Sequence, residues 1–341
     1  MIKPLLTIAI PTFDRAPHLE LLLTTLTTEL DGLNNKVELI ISDNASSDRT
    51  PDVCKNFSIN MPSASMVRNV INIGAENNFI ECLSRAHGRY FWIIGDDDLP
   101  KSGVIKMIIQ LLEKNNPDLI YLESEWFQLL TSADQGSEIK ELHAVQMSAE
   151  DLAVKINVWL TFVSALIINR NLFFENYSLL DAGRYRGTNL VQLGWIFGVL
   201  KKGSKFIYVR NRCMLATADN SGGYEIIKTF GIYFPKIVHE IFAENTYIAR
   251  NIIRQCLITH TPGIIWQFRF KSNPKYKPEA PWPLLRKTLG SFPEYWAILY
   301  PISHFPKIIS RLFLHLSFFI TYIIKWSRFL GCSKYIDSST K

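Results

Sequence analysis

Five short apolar runs, the first four each followed by polar residues and then by a stretch of helical spacing, constrain this chain more than any other feature. Leu5–Ile10, Val37–Ser42, Met66–Ile71, Tyr90–Ile94 and Asp118–Glu123 read as strands. Between them, His18–Leu30, Ala75–His87 and Ser102–Asn115 read as helices, and Ser46–Pro51 supplies cap residues with an early proline for another. Strands alternating with helices imply βαβ units: an α/β fold with a mostly parallel sheet flanked by helices. Four strands end in polar clusters: Thr12 with Asp14, Asp43 with Asn44, Asn72, and Asp96–Asp98. A parallel sheet carries those ends to one edge, where they line one crevice.

Further along, Gln128–Glu150 is polar and reads as a loop or lid. Phe162–Ile168 reads as a strand, Asp181–Asn189 as a loop, Leu190–Leu200 as a helix and Lys205–Val209 as a last strand. Ala218–Tyr224 is polar and glycine-rich. It marks the expected boundary between a catalytic domain, residues 1–225, and a helical C-terminal region, residues 226–341, opening with a helix over Ile226–Thr259.

At 341 residues, 48% of them hydrophobic, the chain can bury a sizeable core. No long apolar run precedes Pro11, so no signal peptide is expected. The five cysteines are dispersed without a C-x-x-C pair, which fits free thiols in a reducing cytosol better than disulfides or a zinc site. No P-loop, G-x-G-x-x-G or G-x-S-x-G motif occurs. From Pro262 onward 12 Lys and Arg stand against 3 Asp and Glu, whereas residues 1–261 carry 25 against 28. A basic tail on a slightly acidic body argues against a nucleic-acid partner and for an anionic membrane surface.

The run Tyr90-Phe-Trp-Ile-Ile-Gly-Asp-Asp-Asp-Leu-Pro100 puts three carboxylates at a strand end. Hard oxygen ligands at such a position suit Mg²⁺ or Mn²⁺ bridged to phosphate. The alternative is a solvated turn, which Gly-Asp and Pro100 would equally make.

Ile10–Arg15, Ser42–Asp48, Asn72–Asn78 and Gly95–Asp98 occur in that order, each after a strand. This set resembles glycosyltransferase family 2, with its Rossmann-like GT-A fold, densely over residues 5–125 and more weakly to about 225. The resemblance implies an inverting transfer from a nucleotide sugar. Pro11, Thr12 and Asp14 would then line the nucleotide pocket, and Asp43 would accept a ring N–H of the base. Asn72 and Asn78 would bond ribose or phosphate. Asp43 has an alternative as a helix cap and the two asparagines as Asx turns. The metal motif of the family reads D-x-D-D; here Gly95 replaces its first Asp. Asp97 and Asp98 are the expected metal ligands, with Asp96 and Asp97 on the donor.

The acceptor hydroxyl needs a base. The family places Glu-Asp before the helix ending in Lys-Gly, but Val191-Gln192 stands there, and an amide takes no proton. Asp181 and Asp219 are the carboxylate candidates, Glu225 a further one, with Gln192 and Thr188 positioning the acceptor. Tyr185–Gln192, Asn72-Ile-Gly and Trp92 resemble the subgroup containing bacterial abequosyltransferases. That implies a deoxyhexose moved from a CDP-, UDP- or dTDP-linked donor onto a lipid-linked glycan of the O-antigen kind. A sugar nucleotidyltransferase and a non-catalytic nucleotide-sugar-binding protein are the competing expectations.

Leu312–Ile324 lies between Arg311 and Lys325 and as a helix spans about 20 Å, short of the ~30 Å hydrocarbon core. Lys307, Ser310, Arg311, His315, Ser317, Thr321, Lys325 and Arg328 fall in one arc, so a helix with Trp326 beside it suits a membrane interface. The expected location is the cytoplasmic face of the inner membrane, held peripherally. A helix packed on the catalytic domain is the alternative.

Overall fold

A computed structural model describes residues 3–33, 35–61, 64–128, 138–218, 224–271 and 281–330. Nine strands form one sheet: β1 (Leu6–Thr12), β2 (Val37–Asp43), β3 (Ala64–Arg68), β4 (Tyr90–Ile93), β5 (Leu99–Pro100), β6 (Leu119–Phe127), β7 (Ala144–Met147), β8 (Leu166–Asn169) and β9 (Phe206–Thr217). Their order is β3-β2-β1-β4-β8-β6-β9-β5, with β7 pairing β9. Pairing is parallel through β3-β2-β1-β4. Beyond β4 the sheet is mixed: β8 is antiparallel to both β4 and β6, and β6 is parallel to β9. Because β8 reverses direction between two parallel neighbours, its start joins the carboxyl ends of β1, β2, β4, β6 and β9 at one edge.

Residues of alternate parity face opposite layers. Leu6, Ile8, Ile10, Tyr90 and Trp92 pack beneath α1 (Ala16–Glu29), α2 (Thr50–Asn60) and α4 (Val104–Asn115). Ala9, Phe91 and Ile93 pack with α3 (Ala75–Arg85), α5 (Ala149–Ile156), α6 (Arg170–Asn176), α7 (Leu179–Ala182) and α8 (Leu193–Lys202). This second layer continues without a break into α9 (Ile226–Lys228), α10 (Phe234–Ile241), α11 (Thr246–Thr259), α12 (Thr261–Phe270), α13 (Trp282–Leu289), α14 (Tyr300–His304) and α15 (Lys307–Leu330). The last strand ends at Thr217, and the described residues from Ile226 onward are helical and share this core.

Several elements differ from their sequence expectation. The third strand stops at Arg68, leaving Val70 and Ile71 exposed. The expected strand over 162–168 is 3₁₀ turn up to Ala165 and only then β8. The expected loop over 128–150 contains β7 and the start of α5, and the expected loop over 181–189 begins inside α7. The last strand runs on to Thr217, past a register shift that loops out Arg210 and Asn211 between Val209 and Arg212. The expected helix over 226–259 is broken by a π-helical turn at Thr229–Tyr233 and a second break after Ile241.

The last helix reverses the expected solvation. Ser310 and Ser317, members of the polar arc, are fully buried against the protein together with Leu314. Ser310 Oγ donates to the carbonyls of Pro301 (3.1 Å) and Phe305 (2.9 Å), and Arg269 Nη1 reaches Ile302 O (2.6 Å). Meanwhile Ile308 is 82% exposed and Leu312 66%, with Phe318, Phe319 and Tyr322 also outward. A helix that buries serines and exposes isoleucine, leucine and phenylalanine has a reason to meet something apolar. Among the described residues no helix is long and apolar enough to cross a membrane. Trp326, Lys325 and Arg328 have no described side chains, and Cys332 lies outside the described residues.

Candidate active site

The carboxyl edge assembles the site from four loops. After β1 the chain turns through Asp14 at φ 52°, a left-handed conformation that Asp tolerates better than most residues. Asp14 Oδ1 accepts from the backbone amides of Ser47 (2.6 Å) and Asp48 (3.2 Å). Asp48 in turn accepts from Ala16 N at 3.0 Å and Thr50 N at 2.8 Å, serving the otherwise orphaned amides that open α1 and α2. The first two strand ends are thereby laced together.

Asp43 is completely buried. Its Oδ1 accepts from Ser46 N (3.0 Å), while Oδ2 has no hydrogen-bond partner and faces Arg68 Nη1 at 3.2 Å. It caps no helix, because α2 begins seven residues later and its N-cap is Arg49. A buried carboxylate oxygen without a donor is costly unless something supplies one. Asn72 makes the Asx-turn bond, whereas Asn78 bonds across to the end of β2. Asn72 Oδ1 accepts from Asn44 Nδ2 and Gly74 N, both at 2.9 Å. Asn78 is buried, donates to Ser42 O (3.0 Å) and accepts from Ser42 Oγ (2.6 Å). Both hold the strand ends in place.

The acidic triplet is less solvated than a turn reading expects: Asp96 and Asp98 are buried and Asp97 is half-buried. Thr12 Oγ1 donates to Asp96 Oδ2 at 2.7 Å, and Arg15 Nη1 lies 2.9 Å from Asp97 Oδ2 and 3.9 Å from Asp96 Oδ1. Ser164 Oγ donates to Asp98 Oδ2 (2.5 Å) and accepts from Gly95 N (2.9 Å). Thr217 N donates to Asp98 Oδ1 (3.2 Å), and Thr217 Oγ1 to Asp97 O (2.7 Å). Burial, and next the charge of Asp97, push the Asp96 carboxyl up to about 7 and Asp98 well above its usual range. The hydroxyls and Arg15 soften that repulsion without removing it.

Gly95 explains how the triplet can close up. A Cβ built there would meet Asp97 Oδ1 and Asp98 Oδ2, each at 3.0 Å, and Ser164 Oγ at 3.4 Å. Two carboxylate oxygens therefore converge on a cradle that a side chain would fill. With Gly at this position in place of the first Asp of D-x-D-D, the Asp97 and Asp98 side chains can close over the backbone. The cradle fits a hard cation through Asp97 and Asp98, although among the described residues no three His, Cys, Asp or Glu side chains are grouped closely enough to enclose one.

The acceptor-side expectations fare differently. Asp181 belongs to a capping box: its Oδ2 accepts from Ser178 Oγ (2.7 Å) and Ser178 N (2.8 Å), and these bonds hold its carboxyl below its usual range. That is the chemistry of a helix start, and a carboxylate held low is a poor base at neutral pH. Gln192 is buried and donates to Thr161 O at 2.7 Å. Thr188 Oγ1 donates to Tyr185 O (2.6 Å). Asp219 lies outside the described residues. Ser164, Thr217, Arg15 and Arg68 carry the site's contacts but were not singled out from the sequence. Ser164 and Thr217 sit in ordinary apolar runs, and only their position opposite the triplet gives them meaning.

The four Cys in the described residues are buried and free, and burial pushes each thiol up to about 12.

Residues 7–173 match the family described as glycosyl transferase family 2. A stretch of 97 residues is 40% identical to the abequosyltransferase RfbV of Salmonella typhimurium strain LT2, covering 28% of this chain and 28% of that relative. The fold is similar to a crystal structure of S. aureus TarS 1-349, at TM-score 0.61 and 14% identity over 92% of this chain and 89% of that one. A complex of the same protein with UDP-GlcNAc gives TM-score 0.58 and 15% identity, covering 92% and 90%. A mannosyltransferase from Pyrobaculum calidifontis in complex with GDP-Man and Mn²⁺ gives TM-score 0.50 and 14% identity, covering 92% and 86%.

Proposed function

We propose, from the premise that residues 7–173 belong to glycosyltransferase family 2, that the protein moves a deoxyhexose from a nucleotide-sugar donor to a lipid-linked glycan acceptor of the O-antigen kind. The observation that carries this reading is the order of chemistry along the carboxyl edge. Asp43 Oδ2 on β2 is ion-paired with Arg68 but accepts no hydrogen bond, and a ring N–H of a nucleobase would supply one. Next along the sheet, Thr12 and Arg15 from the β1 end bracket the Asp96–Asp98 triplet after β4. A nucleoside diphosphate sugar laid along this edge has its base at Asp43 and its diphosphate at the triplet.

Mg²⁺ or Mn²⁺ held by Asp97 and Asp98 would neutralise the diphosphate as the glycosidic bond breaks. Arg15 orients Asp97 and sets its charge against the phosphates, and Ser164 and Thr217 fix the rotamer of Asp98. A mannosyltransferase of similar fold is in complex with GDP-Man and Mn²⁺, and TarS, also similar in fold, is in complex with UDP-GlcNAc, which supports a nucleotide-sugar donor. For the base, Asp219 is favoured over Asp181: it follows Thr217 by two residues, and Asp181 is already engaged by Ser178.

The exposed apolar face of α15, with Lys307 and Arg311 also outward, suits the interface of an anionic membrane, where a lipid-linked acceptor resides. The direct test incubates full-length protein with CDP-, UDP-, GDP- and dTDP-sugars, Mn²⁺ and a lipid-linked acceptor, and assays glycosylated product. Product is expected from one donor, and is expected to be lost with chelator and in Asp97→Ala. No product from any donor, or undiminished product in Asp97→Ala with chelator, overturns the reading.

A further inference from the structure

We propose that Trp126 and Trp159 form an aromatic shelf that binds a pyranose ring of the acceptor glycan beside the acidic triplet. The proposal rests on the glycosyltransferase reading and adds the site at which the second substrate docks. Trp126 lies near the end of β6 and Trp159 in the 3₁₀ turn Asn157–Thr161. Their ring centroids are 5.0 Å apart at an interplanar angle of 36°, and Phe162 meets Trp126 at 4.9 Å. Trp126 is 42% exposed and Trp159 37%, although indoles are usually well covered.

The shelf is braced from below. His260, half-buried with its Nε2 shielded from water, sets its ring edge-on to Trp159 at 5.8 Å and to Phe230 at 4.9 Å. A rigid aromatic surface left open to water beside a polar crevice is a binding surface rather than an unfinished core.

Its position relative to the triplet is fixed twice over. Phe162, which packs on Trp126, stands two residues before Ser164, the hydroxyl that donates to Asp98. Trp126 itself is paired across the sheet with Ala216, the neighbour of Thr217, which binds both Asp97 and Asp98. The same two segments that hold the triplet therefore carry the shelf.

Strand order identifies the occupant. From Asp43 on β2 the sheet runs through β1, β4 and β8 to β6, four strand spacings or roughly 19 Å. A nucleobase bound at Asp43 does not reach the shelf, and the diphosphate lies between them. What lies on the far side of the leaving group from the nucleotide is the sugar and the hydroxyl that attacks it. The apolar C–H face of a pyranose carries slight positive charge and complements the negative face of an indole.

Two measurements decide the matter. Methyl glucoside, galactoside, mannoside and rhamnoside are titrated into the full-length protein with intrinsic tryptophan fluorescence as the readout. Initial rates are measured against lipid-linked acceptor at saturating donor, in wild type, Trp126→Ala, Trp159→Ala and Trp126→Phe. A saturable fluorescence response to at least one pyranoside is expected. Both alanine variants are expected to weaken it, and to raise the acceptor KM, at least tenfold while donor KM stays within twofold. Trp126→Phe, which keeps a ring, is expected to retain most of the affinity. If no pyranoside gives a response, or if both alanine variants bind pyranoside and acceptor as wild type does, the shelf is not an acceptor site. A protein that binds pyranosides through Trp126 yet binds no nucleotide sugar would keep the shelf and remove the glycosyltransferase reading instead.

Discussion

At the scale of single residues, the site depends on atoms that are absent as much as on those present. Gly95 has no Cβ, and the oxygens of Asp97 and Asp98 occupy the space that one would take. Gly95→Ala is expected to leave the fold intact, since carboxylate ends can swing aside, but to displace both from their working positions. A misplacement of this order costs about 10² in turnover. Turnover within a few-fold of wild type, with an unchanged circular dichroism spectrum, would remove Gly95 from any positioning role. His260 makes a second residue-scale case. Burial lowers its imidazole from 6.5 to about 4, and its Nε2 has no partner. Between those values the unfolded chain binds a proton that the folded chain does not, so stability rises with pH across that window and falls on acidification. The slope from one such group is at most about 1.4 kcal/mol per pH unit. His260→Phe keeps the edge contacts with Trp159 and Phe230 and removes the titration. Its melting temperature relative to wild type is expected to be higher at pH 5 than at pH 7.5. An equal difference at the two pH values would show that His260 does not titrate in this window.

At the scale of elements, the parallel half of the sheet was legible because each strand is a compact β-branched run with helical spacing on either side. Sequence periodicity carried β1, β2, β4 and the helices around them, and it carried the edge at which Thr12, Asp43 and the triplet meet. It failed where tertiary contacts override local preference. The segment 162–165 has strand composition, yet it coils so that Ser164 can reach Asp98. Beyond Val209 the strand pattern is interrupted by Arg210 and Asn211, and only pairing with β6 resumes it. The buried polarity of Asp96 and Asp98 was equally hidden, because their partners come from residues 12, 164 and 217. The last helix follows the packed alternative on its polar arc: two serines of that arc are satisfied by carbonyls of their own turns or of the preceding helix, so the arc can dock. Its outward face yields a prediction at this scale. Ile308→Glu with Leu312→Glu alters two exposed positions and is expected to leave melting unchanged. Burial of one such side chain contributes roughly 1.5 kcal/mol or more, so sedimentation with anionic vesicles is expected to drop at least tenfold. Equal sedimentation of variant and wild type would mean that α15 does not meet lipid through this face.

At the scale of the whole molecule, the second core layer decides how the C-terminal helices can be tested. Phe91, Ile93, Leu166 and Ile168 from the sheet share one buried cluster with Ile252, Ile253, Leu285, Leu299, Ile302 and Leu314. Truncation before residue 226 would uncover this layer along the sheet's length. Even truncation after Pro301 would remove Ile302, Ser310, Leu314 and Ser317, all buried, together with the acceptors of the Arg269 guanidinium. Removing two buried aliphatic side chains and two buried, hydrogen-bonded serines costs several kcal/mol, comparable to the whole stability of many domains. A chain ending at residue 301 is therefore expected to be insoluble or to melt far below the full-length protein, with transfer to a short soluble acceptor lost as well. If it stays folded and transfers normally to that acceptor, α15 is a detachable anchor and its inner serine face contributes little. The two surfaces of α15 thus separate experimentally, since substitutions on the outer face address lipid while deletion addresses the core.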